Sequence, residues 1–96
     1  MALVELSAAA AEDLDRLIYT HSLPADTKDR VRHRLRPLER FPLLGPALSG
    51  RWSGFRLVLG PWRWMVIVYV HLAADDLVVV TTIQDGRSSV AATSSR

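Results

Sequence analysis

The chain predicts an α+β domain: a short N-terminal strand, a helical hairpin, then a three-stranded antiparallel sheet. Three observations carry this. The first forty residues hold two apolar stripes at helical spacing, a block rich in proline and glycine follows, and the second half holds three runs dense in β-branched and aromatic residues. With 96 residues there is room for one hydrophobic core, so residues 1–96 read as a single domain.

Residues 3–6 alternate weakly and read as a short strand at a sheet edge. Ser7 is then placed to cap a helix over 8–20, in which Ala10, Leu14, Leu17 and Ile18 recur at the i, i+4, i+7, i+8 spacing of one buried face. Pro24 fits the first turn of a second helix over 25–36, with the stripe Thr27, Val31, Leu35 and Leu38. Pro37 would cost a helix interior a hydrogen bond, which predicts a stop or kink near Arg36. Residues 41–54 contain Pro42, Gly45, Pro46, Gly50 and Gly54, too many breakers for a long regular element. Strands are expected over 55–59, 62–72 and 77–84, interrupted at Gly60-Pro61 and at 73–76. Residues 88–96 lack the apolar content to pack and are expected to form a flexible tail.

Strand parity assigns faces. An even-length turn about Gly60-Pro61 sets Val58 opposite Arg63 and Arg56 opposite Met65. Arg56, Val58, Arg63, Met65, Ile67, Tyr69 and His71 then share one side, while Phe55, Leu57, Leu59, Trp62, Trp64, Val66, Val68, Val70 and Leu72 share the other. The second, wholly apolar set is expected to be the core face beneath the helices, leaving the arginine face open.

The formal net charge of +2 is segregated: residues 1–27 carry five acids and one base, whereas residues 28–65 carry nine bases and two acids. Eleven of the twelve bases are arginine, suited to forked contacts with phosphate or carboxylate, so anionic partners are expected. A charge run on a surface helix is equally what a solvated face looks like. The chain has no cysteine, which excludes disulfides, thiolate nucleophiles and cysteine zinc sites. His21, His33 and His71 lack paired ligand spacing, so neither a metal nor a cofactor is expected. No phosphate-cradling Gly-x-x-x-x-Gly-Lys run and no recognisable Ser/His/Asp spacing occurs, which argues against nucleotide hydrolysis and serine catalysis. The N-terminus lacks the basic start of an export signal. The longest uncharged run before the tail, 64–74, is far shorter than the roughly 20 residues of a membrane helix, so a cytoplasmic protein without membrane contact is expected.

In their order and spacing, the leading "ELSAAAAEDLDRLI", the passage "FPLLGPALSGRWSGFRLVLGPWRW" and the terminal "VVVTTIQDGR" resemble the RelE/ParE superfamily of toxins from bacterial type II toxin-antitoxin systems. The resemblance spans most of the chain. It implies a growth inhibitor held in check by a cognate antitoxin protein and, in the RNA-cleaving branch, a metal-free endoribonuclease acting on mRNA at the ribosome. Arg56 matches the basic position of the "GFRL" strand, Arg63 the arginine after the hairpin turn and Arg87 the arginine after the last strand, which makes these three the implied catalytic residues. Val58 stands where ribosome-dependent nucleases often carry another base, and no tyrosine follows Arg87. Arginine stays protonated, so the proton acceptor falls to water, a carboxylate such as Asp85, or a ribosomal group. Two alternatives stay open: a ParE-like, non-enzymatic inhibitor of DNA gyrase, and an inactive toxin-like binding module.

If RNA phosphate is the ligand, Arg63→Lys loses much of the growth inhibition although the charge is kept, because a planar fork becomes a point charge. Arg63→Ala loses more. Either substitution should shift the denaturant midpoint by no more than the equivalent of about 1 kcal/mol.

Overall fold

The computed structural model describes residues 1–87. Strand β1 (Leu3–Leu6) leads into helix α1 (Ala8–Thr20) and helix α2 (Thr27–Leu35), and strands β2 (Arg56–Leu59), β3 (Met65–Leu72) and β4 (Leu77–Asp85) follow. The three expected antiparallel strands are joined by β1 in one mixed four-stranded sheet of order β1-β4-β3-β2, with β1 parallel to β4 at the edge. The segment 88–96, expected to be a tail, lies outside the described residues.

Both helices sit where their stripes place them. Ser7 is extended, and its Oγ accepts the Ala10 N–H at 3.1 Å, closing one of the free donors at the start of α1. The second helix is shorter than the expected 25–36. It begins at the fully buried Thr27, whose hydroxyl donates to the Pro24 carbonyl at 2.6 Å, and it ends at Leu35. Pro37 then tightens the chain into a 3-10 turn over Arg36–Glu39 that delivers Leu38 to the core.

The sheet faces are the reverse of the expectation. Met65, Ile67 and Tyr69 of β3 are fully buried, with Val78, Val80 and Ile83 of β4, against Leu14, Leu17, Val31, Leu35 and Leu38. Leu57, Leu59, Val66, Val70 and Leu72 lie on the outer side, half-buried or exposed, although Val68 at the strand irregularity is buried. Within β2 and β3 parity grouped the residues correctly apart from Val68, but it chose the wrong group as core and assigned faces to residues 62–64, which lie outside the strands. Both alternations of β3 are apolar, so the pattern holds no polar face to mark the outside. Tyr69 belongs inside because its hydroxyl accepts the N–H of buried Gly45 at 3.0 Å. A Cβ at position 45 would run into the Leu57 carbonyl oxygen, so only glycine lets the loop come this close.

The β2–β3 register is also displaced. Arg56 pairs with Tyr69, Val58 with Ile67 and Leu59 with Val66, because the connection runs through residues 60–64 rather than a tight turn. Gly60 N–H donates to the Met65 carbonyl at 2.8 Å and Met65 N–H to the Trp62 carbonyl at 3.0 Å. Arg63 therefore sits in the turn, not opposite Val58.

Between β3 and β4, Val68 opposes Thr82 while Tyr69 opposes Val80, leaving Thr81 as an extra residue in a bulge. This bulge meets α1. The Ser7 hydroxyl donates to the Thr81 carbonyl at 3.2 Å, and Asp13 Oδ2 accepts the Thr82 hydroxyl at 2.7 Å and the Ile83 N–H at 3.2 Å. Burial raises the Asp13 pKa, but these bonds and the one from Arg16 outweigh it and hold the carboxyl below its usual range. No helix among the described residues is long and apolar enough to cross a membrane.

Tyr69→Phe removes the acceptor for the Gly45 N–H in a site without solvent. The expected cost is about 1–3 kcal/mol, read as a lower denaturant midpoint with an unchanged slope.

Candidate functional site

The structure separates the three arginines. Arg56 lies on the core side of edge strand β2, half-buried, and donates Nη1 to the Gly45 carbonyl at 2.7 Å and to the Leu43 carbonyl at 3.2 Å. It clamps the connecting loop and is not on an open sheet face, which corrects the expected placement. Arg63 is exposed in the β2–β3 turn and makes no side-chain hydrogen bond or ion pair among the described residues. Arg87, exposed just beyond β4, forks onto Asp85 with Nε to Oδ1 at 3.1 Å and Nη2 to Oδ2 at 2.9 Å. Its guanidinium also lies 5.2 Å from the Trp64 ring centroid. Met65 pairs with Asp85 whereas Arg56 pairs with Tyr69. Arg63 and Arg87 therefore share one end of the sheet, and Arg56 lies four strand residues, about 13 Å, further along.

At the Arg63–Arg87 end the structure adds a residue that the sequence left unassigned. His21, which caps the C-terminus of α1, stacks on Trp64 with ring centroids 4.6 Å apart and planes inclined by 12°. Its Nε2 is 2.9 Å from Asp85 Oδ2 and its Nδ1 is 2.9 Å from the Thr20 hydroxyl. Trp64 in turn stacks on Trp62 at 6.1 Å, and Arg30 of α2 lies 5.7 Å from the Trp62 ring. The result is a row of aromatic rings with guanidinium groups over Trp62 and Trp64, favourable because cations sit against π faces. Trp62 and Trp64, expected on the core face, are instead half-buried at its margin.

Asp85 organises this end. The hydrogen bond from Arg87, opposed by partial desolvation and reinforced by His21, holds its carboxyl well below the usual range. The same bond holds the Arg87 guanidinium above its ordinary value. Charge, a stacking surface and an oriented imidazole thus converge within reach of solvent. His21 and Asp85 are 64 positions apart, and the only signal in the sequence was that His21 directly follows the expected helix end. His71 meets Asp76 at 3.1 Å at the other end of β3. No group of three or more potential metal ligands forms among the described residues.

Among solved structures, the chain is similar to the toxin-antitoxin complex RelBE2 of Mycobacterium tuberculosis, with TM-score 0.67 and 21% identity over 88% of this chain and 96% of that one. It is similar to a copper-bound mutant toxin from Helicobacter pylori, with TM-score 0.65 and 21% identity over 92% and 98% of the two chains. A mutant of YafQ from E. coli gives TM-score 0.62 and 16% identity over 93% and 98%. No protein-family model matches the chain, and no curated protein matches it. At these identities the likeness is one of fold, and it is the fold that the sequence resemblance implied.

Because the folded chain holds the Asp85 carboxyl below its ordinary value, the unfolded chain binds that proton more readily. The stabilisation is complete well above pH 4 and is lost as pH falls from about 4 toward the lower folded-state value. In denaturant titrations Asp85→Asn, which cannot be protonated, should show a shallower loss of stability below about pH 4 than the parent.

Proposed function

We propose that this chain, which has the fold of RelE-type toxins, is the toxin of a type II toxin-antitoxin pair. In this reading a cognate antitoxin neutralises it, and it acts in the cytoplasm on mRNA at the ribosome as a metal-free endoribonuclease. The observation that carries the toxin reading is the shared fold, and what the fold leaves uncovered supports it. On the outer side Leu59 is 38% and Leu72 41% exposed, and Leu3 on edge strand β1 is 68% exposed. The far edge at β2 is closed by the loop, where Leu57 N–H donates to the Pro46 carbonyl and Ala47 bridges to Arg56. Apolar surface beside an open strand edge suits an antitoxin segment that orders on binding.

The nuclease reading draws its support from Arg63 and Arg87, exposed at one end beside Trp62 and Trp64. Cations that hold a phosphate next to rings that stack on a base are what single-stranded RNA requires. A second reading, a ParE-like inhibitor of DNA gyrase, is favoured by two observations: Arg56 is engaged with loop carbonyls, and the outer sheet face is apolar, a surface better matched to protein than to phosphate.

Expression of the chain alone, and beside its genomic neighbour, tests the pair. Growth should arrest in the first case and recover in the second, with a small protein co-purifying. Sequencing of RNA ends after induction, set against a gyrase supercoiling assay, then chooses between targets: new mRNA ends with normal supercoiling are expected. Lost supercoiling with intact mRNA would transfer the assignment to gyrase.

A further inference from the structure

Among the described residues, His21 is the imidazole fixed on three sides at the Arg63–Arg87 end. Trp64 holds its plane at 4.6 Å, Asp85 holds Nε2 and the Thr20 hydroxyl holds Nδ1, each at 2.9 Å. An ionised Asp85 only accepts, so Nε2 carries the proton it donates, and Nδ1 keeps its lone pair for a hydroxyl donor. Thr20 is exposed, so that hydroxyl lies at the surface, and a hydroxyl from a bound ligand can take its place. A carboxylate that fixes the tautomer of a histidine and leaves the opposite nitrogen basic is the arrangement that general-base catalysis uses.

We infer that His21 is the catalytic residue that takes the proton from a ribose 2′-hydroxyl of single-stranded RNA, with Asp85 as its positioning residue; the inference rests on the endoribonuclease reading above. The 2′-oxygen then forms a bond to the adjacent phosphorus, and the bond from phosphorus to the 5′-oxygen breaks. The products are a 2′,3′-cyclic phosphate and a 5′-hydroxyl end. The 2′ proton passes to Nδ1, the departing 5′-oxygen takes a proton from solvent, and the imidazolium returns one to solvent, so no co-reactant is consumed. Arg63 and Arg87 supply positive charge at the same end for the charge that gathers on the phosphoryl oxygens.

The competing account is that His21 only ties α1 to β4. His21→Gln separates the two, because the amide can still donate to Asp85 but cannot take a proton. His21→Ala leaves space beside Trp64 that free imidazole can fill. With the purified protein on translating ribosomes, His21→Gln should cleave at least about 100-fold more slowly than the parent while keeping its denaturant midpoint and its antitoxin. Imidazole should raise cleavage by His21→Ala at least about tenfold, and the products should carry cyclic phosphate. Cleavage by His21→Gln within about threefold of an active parent overturns the assignment and leaves the nuclease reading standing. Loss of cleavage with a fallen midpoint in both variants, and no response to imidazole, makes His21 structural and also overturns it. A parent that cleaves no mRNA on the ribosome overturns both readings together.

Discussion

Three polar residues, on one helix and its two caps, hold this domain in register against one strand. Ser7 at the start of α1, Asp13 within it and His21 at its end meet Thr81, the Thr82–Ile83 pair and Asp85 in the same order along β4. Apolar packing alone tolerates sliding, since a Leu14 or Leu17 can exchange one valine neighbour for another. A carboxylate that must find both the Thr82 hydroxyl and the Ile83 N–H cannot slide without leaving partly buried groups unpaired. The bulge at Thr81 interrupts the ladder at the point where α1 collects its bonds. The same contacts deliver His21 to Trp64, so the geometry of the site is a by-product of how the helix is seated.

The cationic middle of the chain is largely spoken for. Arg30 pairs with Asp26, Arg32 with Asp29 and Lys28 with Asp15, while Arg34 donates to the Leu59 carbonyl from across the α2–β2 gap. Exposed pairs of this kind stabilise by only about 0–1 kcal/mol each, yet they consume charge that composition alone would assign to a partner. A block that looks like a nucleic-acid surface in the sequence is therefore mostly a solvated, self-paired helix face. Near the stacked rings, Arg63 of the turn has no ion pair among the described residues, while Arg30 and Arg87 lie over the rings with their charge shared with Asp26 and Asp85.

The elements were legible because each carries its own local signal. The Ser7 cap and the Ala10–Leu14–Leu17 spacing place α1 to the residue, and Pro37 marks the end of α2. The orientation of the sheet was not legible. In β3 the sets Met65, Ile67, Tyr69 and Val66, Val68, Val70 are equally apolar, and the arginine at position 56 tipped the choice toward the wrong one. Its side chain reaches carbonyls of the loop, which strand parity cannot see. The β2–β3 register failed for a related reason: Gly60-Pro61 reads as a tight turn, but Trp62 and Trp64 prolong the connection by packing on Arg30 and His21, both far away in sequence. Of the expected site, Arg63 and Arg87 lie at one end of the sheet as parallel consequences of topology. The His21–Asp85 contact joins residues whose proximity exists only once the sheet has formed.

The parallel pairing of β1 with β4 has a consequence for how the chain is made. Among the described residues β1 has no strand partner until β4 has been synthesised, and the hydrogen bonds of Ser7, Asp13 and His21 to the sheet await residues 80–85. Helices can form as they emerge from the exit tunnel, but the sheet edge, the helix seat and the Trp64 end close only after β4 has cleared it. Such non-local closure is slow for a domain of this size. A nascent chain that lacks β4 is thus held incomplete by topology alone, and the site forms only once Asp85 is available to His21.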